Sequence, residues 1–550
     1  MNMIHRTGFF AFLFLLAFSA VAGIAGAVPF VQQRTWSGEV VGDQFGYAVS
    51  PAGDINGDGM EDLLVGANVN DLFIQSGGRV YVFLGGQIYP DLPSFGFSGS
   101  VERGYVGGAL AGGADLNADG YDDWAAGAPG PGPDDIHPGR VYVFFGGADP
   151  DSVPDLILDG GVPGGQFGAA LCLVPDLDGD GYGDLVVGSP RAGDGLVSIF
   201  RGGPGGPAAV PSVDLHPRPG DRRFGKSLAF VPDRDGDQRD ELLVGAPRSS
   251  QAATWAGAVL LFEGTANLDT VPDLVLLGEN AGDEFGFSLG AGSDTDGDGF
   301  TDILVGAPFS NQGLMIDVGR VYLFGNAAAA DTVADLVLNG DQPEERFGTA
   351  VALGFDWNGD GWHDLAVGAP DRATPDTLSG AVEVYFGGGA LDTIPDELID
   401  GGSTQLHLGT SLAPGGDLQG SLGSTLCVGG YNAINAGQVL LFGRDEDRVT
   451  DVPSPSPARG FTLNPPWPNP SNPLTFISLE IAVPGEYRIT IHDLRGGLVS
   501  TLHAGPLSTG TVVWQWAGLD RRGRTAPSGV YLVRAVSGPR QQTSRLTLVR

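Results

Sequence analysis

Cysteine is nearly absent from this chain, with two thiols in 550 residues, Cys172 and Cys427. A disulfide framework is thereby excluded as the source of stability. Each cysteine lies in an apolar, strand-like run, Ala170-Leu171-Cys172-Leu173-Val174 and Thr425-Leu426-Cys427-Val428, and the two runs belong to different repeat units. Buried free thiols are the expectation. Basic residues are also sparse: 29 Lys and Arg face 66 Asp and Glu, for a formal net charge of −37. Nucleic acid and anionic membrane surfaces are poor partners for such a chain. The seven histidines, at 5, 137, 216, 363, 407, 492 and 503, show neither metal-ligand nor triad spacing. Past the N-terminus no stretch of 18 uninterrupted apolar residues occurs, so no transmembrane segment is expected in the mature chain.

The N-terminus reads as an address. His5 and Arg6 precede the apolar run from Phe9 to Phe18, and small residues follow from Ala22 to Ala27. This pattern predicts a cleaved secretion signal over residues 1–27, a retained anchor or a lipid-modified form being the alternatives. The mature protein is then expected to be secreted or held at the cell surface.

Glycine and proline are abundant, at 91 and 39 residues, yet 42% of the chain is hydrophobic. That combination points to a packed core with many tight turns rather than a solvated low-complexity chain. The cause is a repeat. An acidic loop begins at Asp54, Asp115, Asp176, Asp233, Asp294, Asp356 and Asp417, at spacings of 57 to 62 residues. Nine residues before each of these stands an apolar residue followed by Gly: Phe45-Gly46, Val106-Gly107, Phe167-Gly168, Phe224-Gly225, Phe285-Gly286, Phe347-Gly348 and Leu408-Gly409. Each unit offers four short strands and no helical period. Seven such units predict a seven-bladed β-propeller over residues 34–444, because a closed ring removes unpaired sheet edges; an open β-solenoid is the alternative. The seventh unit lacks a fourth strand. Arg34-Thr35-Trp36-Ser37-Gly38 is expected to supply it, since Gly38 precedes Phe45 by the same seven residues that separate Gly160 from Phe167.

Oxygen-bearing side chains recur at loop positions 1, 3, 5 and 9. They are Asp54, Asn56, Asp58 and Asp62 in blade one, and Asp115, Asn117, Asp119 and Asp123 in blade two. Blade three has Asp176, Asp178, Asp180 and Asp184; blade four Asp233, Asp235, Asp237 and Glu241; blade five Asp294, Asp296, Asp298 and Asp302; blade six Asp356, Asn358, Asp360 and Asp364. Calcium takes six to eight oxygens, and alternate residues of a tight loop can supply them. Glycine at position 6 permits the turn, and Met60, Tyr121, Tyr182, Arg239, Phe300 and Trp362 at position 7 would each add a main-chain carbonyl. Position 12 falls in a strand, so these are hairpin loops and not EF-hands, which need Glu there between two helices. Blade four carries Gln238 in place of the turn glycine. Blade seven, with Asp417, Gln419 and Ser421 and no acid at position 9, is expected to bind no metal. About six structural Ca²⁺ ions are the prediction; acidic turns without metal are the alternative.

These residues resemble the FG-GAP repeats of integrin α-chain propellers, as in Phe167-Gly168, the Asp176 loop and Val187-Gly188-Ser189-Pro190. The resemblance implies calcium in hairpin loops on one face and partner binding through the opposite face. Asp451 to Pro457 lies in a proline-rich linker, placed at 445–459. Over 460–550, Trp467-Pro468-Asn469-Pro470, His492-Asp493-Leu494-Arg495-Gly496, Trp516-Ala517-Gly518-Leu519-Asp520 and Ser528-Gly529-Val530-Tyr531 resemble the immunoglobulin-like domain of the flagellar hook-capping protein. They are also similar to C-terminal sorting domains of type IX secretion. An Ig-like sorting or attachment domain is implied.

The function expected is a non-catalytic, monomeric binding or adhesion module for an extracellular protein or glycan. A structural surface-layer protein and an extracellular hydrolase are the alternatives. Gly286-Phe287-Ser288-Leu289-Gly290 satisfies G-x-S-x-G. Its setting is a repeated strand, however, not the strand-turn-helix that a nucleophile elbow requires.

Overall fold

The structure is a computed structural model. It describes residues 30–86, 89–266, 268–325, 332–374, 377–389, 391–402, 405–418, 424–431, 436–444, 461–463, 466, 474–481, 484–493, 497–537 and 540–549. The expected signal segment, the proline-rich linker, Gln419, Ser421 and Trp467 to Pro470 lie outside these residues.

The described residues form strands and turns with no helix. Seven four-stranded antiparallel sheets follow one another in the order of the repeats. The sheet of blade one, for example, consists of Phe45–Gly53, Asp62–Ala67, Arg79–Phe83 and Phe95–Ser98. The second strand of each blade is buried along its length because neighbouring blades cover both its faces, which is why it reads as an unbroken apolar run such as Leu63-Leu64-Val65.

The two halves of the repeat signature have one job between them. The apolar residue of each Phe-Gly-type pair is buried and makes a parallel bridge to the preceding blade, as in Gly257 to Phe285 and Gly319 to Phe347. The glycine that follows it lies against a glycine of the preceding blade's second strand. A Cβ on Gly306 would stand 2.2 Å from the Gly348 carbonyl oxygen and 2.1 Å from Ser288 Oγ. Backbone cannot yield as a side-chain tip can, so G306A is expected to destabilise the propeller by about 1–3 kcal/mol. An unchanged denaturant midpoint would contradict this packing.

The ring closes on its own N-terminus. Phe30–Ser37 pairs antiparallel with Gln438–Arg444, so the seventh sheet combines the first strand of the propeller with its last three. Phe45 bridges Gly437 across the seam, as its equivalents do elsewhere, and Ser411 Oγ donates to the Gly46 carbonyl at 2.8 Å. Trp36 is buried there and its indole N–H donates to Pro90 O at 2.8 Å.

Residues 461–549 form a two-sheet sandwich. Phe461–Leu463, Thr475–Ile481 and Gly510–Trp516 make one sheet; Leu498–Leu507, Gly485–Asp493, Gly529–Ser537 and Arg540–Leu548 make the other. Ile477, Leu479, Ile489, Ile491, Val533 and Trp516 fill the space between them. Phe476 instead belongs to the apolar cluster of Trp36, Phe83 and Tyr89 at the propeller seam. Both cysteines are free and buried, and burial pushes their thiols up to about 12.

Candidate metal loops and the opposite rim

Each acidic loop joins the first two strands of its blade, which places all of the loops at one end of the ring. The position-1 carboxylate organises the turn. Asp54 Oδ1 accepts from Gly57 N and Oδ2 from Gly59 N, each at 2.7 Å, and Asp176 and Asp294 accept from the equivalent glycines. The position-5 carboxylate accepts from the position-7 amide in all six loops, as in Met60 N to Asp58 and Trp362 N to Asp360.

Position 9 is the buried anchor. Asp62, Asp123, Asp184, Asp302 and Asp364 are fully buried, and Glu241 nearly so. One oxygen of each accepts from the amide of loop position 2, as in Ile55 N to Asp62 Oδ2 at 2.9 Å. In blades one, two, three and six the other oxygen accepts from the glycine two residues beyond the third strand, such as Gly85 or Gly387. Burial, opposed by these amides and reinforced by the other acids of the loop, pushes Asp62, Asp123, Asp184, Glu241 and Asp364 up to about 7 and Asp302 to about 6. The position-9 acid is thus a structural tie as well as a candidate ligand, a role that spacing alone did not reveal.

The donor sets fit a hard cation. Carboxylate oxygens of Asp176, Asp178 and Asp180, of Asp233, Asp235 and Asp237, and of Asp294, Asp296 and Asp302 lie within 4.8 Å of one another. Asp302 Oδ1 is buried with no hydrogen-bond partner, beside Asp294 and Asp296. Blade four keeps the loop shape because Gln238 adopts the left-handed backbone (φ 71°) that glycine takes at the equivalent Gly299 (φ 90°). Arg239, expected to contribute only its carbonyl, also pairs its guanidinium with Asp237 at 2.6 Å, so a cation there competes with an arginine. Asp178 is likewise paired, with Arg201 at 3.0 Å.

The loops are lashed to one another. The position-1 carbonyl of one blade accepts from the position-8 amide of the next: Asp54 from Asp122, Asp115 from Gly183, Asp176 from Asp240, and Asp417 from Glu61. The side chains of Asp122 and Asp240 also accept from Asp54 N and Asp176 N, at 2.8 and 3.0 Å. These position-8 acids were not among the expected site residues; the acidic doublets Asp122-Asp123 and Asp240-Glu241 were their only sequence signal. Blade seven keeps Asp417 and Leu418 in the same collar although its loop lacks the position-9 acid.

Ser288, the serine of the G-x-S-x-G match, donates to the Gly348 carbonyl at 2.8 Å, as Ser227 does to Gly286. It staples two blades. S288A is expected to cost about 1 kcal/mol of stability, read as a small shift in denaturant midpoint.

At the other end of the ring a cavity of about 810 Å³ opens on the axis and is lined by all seven blades. His407 Nδ1 lies 2.9 Å from Asp371 Oδ1 and its ring stacks on Tyr431, while Asp371 also bridges Arg346 at 3.1 Å. The hydrogen bond to Asp371 holds the His407 imidazole above its usual range, against the opposing effect of burial. The histidine positions, read along the chain, did not disclose this pair.

Residues 45–83, 167–200, 285–324 and 347–385 match the FG-GAP repeat, and residues 477–539 match the FlgD Ig-like domain. Among curated proteins the chain is 34% identical over 244 residues to integrin alpha-5 of Xenopus laevis, covering 42% of this chain and 22% of that protein. It is 30% identical over 292 residues to phosphatidylinositol-glycan-specific phospholipase D of Homo sapiens, covering 47% and 34%. It spans about a fifth to a third of these relatives' length. Among solved structures it aligns with PorZ, a surface component of the type-IX secretion system of Porphyromonas gingivalis, at TM-score 0.41 and 14% identity, over 93% of this chain and 60% of that one.

Proposed function

Since four of the seven blades match the FG-GAP repeat and the tail matches the FlgD Ig-like domain, we propose that the chain is a calcium-stabilised, non-catalytic binding module. It is exported or held at the cell surface, and it engages an extracellular protein or glycan through the rim opposite the acidic loops. The observation that carries this reading is the collar: the loops spend amides on their own acids, and those beginning at Asp54, Asp115, Asp176 and Asp417 give a carbonyl to the next blade, so a bound ion braces the ring instead of facing a substrate. Positions 1, 3, 5 and 9 with the position-7 carbonyl would hold the ion in blades one to six, and Ca²⁺ would supply the positive charge that the crowded carboxylates lack. The Ig-like domain serves export or attachment.

A hydrolase is the second reading, favoured by the phospholipase relative and by the His407–Asp371 pair. The imidazole of that pair contacts Asp371 and the Tyr431 ring, and the Thr410 hydroxyl donates to the His407 main-chain carbonyl at 2.6 Å and not to the ring. Two measurements test the proposal. Limited proteolysis is expected to cut the hairpins only after chelation. Incubation of the calcium-loaded chain with phosphatidylinositol-glycan, ester and glycoside substrates is expected to give no turnover; turnover abolished by H407N would overturn the non-catalytic reading.

A further inference from the structure

The axial cavity has a charge opposite to that of the chain. In a protein with 66 acids, its wall carries Arg191, Arg223, Lys226 and Arg346 against a single carboxylate, Asp371. Arg346 is paired with that carboxylate; among the described residues Arg191, Arg223 and Lys226 enter no ion pair. Burial and the nearby Arg223 hold the Lys226 ammonium below its ordinary value against the opposing charge of Glu284, a carboxylate already paired with Arg248 at 2.7 Å. Aromatic faces lie among the cations. Lys226 Nζ is 5.0 Å from the centre of Phe287, and the Arg346 guanidinium is 5.5 Å from that of Phe309.

One recurrent position helps to build this wall. The residue before each apolar-Gly pair takes the left-handed backbone in every blade, from φ 50° at His407 to φ 60° at Gln166. The repeat imposes this backbone whatever the side chain, and it brings all of these residues except the buried Glu284 to the cavity lining. The fold accepts Gln44, Tyr105, Gln166, Arg223, Glu284, Arg346 and His407 there alike, so the side chain is free to set specificity.

We propose that this mouth binds an acidic sugar, its carboxylate or sulfate held by Arg191, Arg223 and Lys226 and its ring packed on Phe287 and Phe309. The cavity has the size of a small-ligand pocket, about 300–1,000 Å³, and fixed cations among aromatic rings suit an anion on a partly apolar body. A peptide is the alternative occupant, because the first strand of each blade pairs on one side only, and penta-glutamate represents it in the test. The inference rests on the reading that this rim is the binding face.

The test titrates the calcium-loaded full chain with trigalacturonic acid, its uncharged methyl ester, a sulfated disaccharide and penta-glutamate. The variant is R223Q/K226A, whose new residues already stand at the equivalent positions Gln166 and Ala169, so the fold is expected to persist with an unchanged melting temperature. An acidic sugar is expected to bind, more weakly at high salt, and to lose about tenfold or more in affinity in the variant, while the ester does not bind. Equal binding of acid and ester, or no binding of either acidic sugar, overturns the sugar assignment. Binding of penta-glutamate alone, lost in the variant, overturns it but keeps the rim as the binding face. Acidic-sugar binding that the variant leaves unchanged overturns both.

Discussion

Removing divalent metal from the protein is expected to lower its melting temperature by about 15 °C or more. Six loops hold twenty-one carboxylates at positions 1, 3, 5 and 9, and the innermost of each set is buried or nearly so. Without a cation these groups repel one another across a few ångströms, and Asp302 Oδ1 has no partner at all. A single site saturated a hundredfold above its dissociation constant stabilises by about 2.7 kcal/mol, and several sites act on one ring. Because the loops are hydrogen-bonded blade to blade, the loss is expected to spread around the collar rather than remain in one hairpin. The check is a calorimetric or circular-dichroism melt with calcium and with chelator. Recovery on adding back Ca²⁺, but not Na⁺ at equal ionic strength, separates coordination from simple screening.

The second large effect is mechanical. Deleting residues 30–37 removes the outer strand of the seventh blade, uncovers the edge of Gln438–Arg444 and takes Trp36 out of the seam. A three-stranded closing blade with a bare apolar edge is an aggregation site, so the truncated chain is expected to move from the full chain's peak to aggregates on size exclusion and to lose its cooperative melt. A synthetic peptide of residues 30–38 added in trans is expected to restore both. A truncated chain that keeps the full chain's peak and melts as before would show that the N-terminal strand does not hold the ring.

What was legible in the sequence follows from what repeats. Phe285-Gly286 and Val305-Gly306 recur because every blade must set a buried ring and a bare backbone against its neighbour, and the missing fourth strand of the last unit was visible as a gap that Thr35 and Trp36 filled. The spacing of the loop oxygens was legible for the same reason. Contacts between loops were not: Asp122 reaches Asp54 across 68 residues, and the Arg239 guanidinium closes on Asp237 at a position where the pattern promised only a carbonyl. The cationic mouth was hidden too. Arg191, Arg223, Arg346, Asp371 and His407 come from blades three, four, six and seven, and each is unremarkable in its own stretch of chain. Closing the ring is what brings them to one axis.

On the proposed reading the acidic loops are calcium sites that brace a closed ring. Isothermal titration of Ca²⁺ into the metal-stripped chain tests this most directly. Saturable uptake of about six ions, with blade four the weakest because Arg239 already occupies Asp237, is the predicted result. No saturable binding, with the same melt before and after stripping, would contradict it.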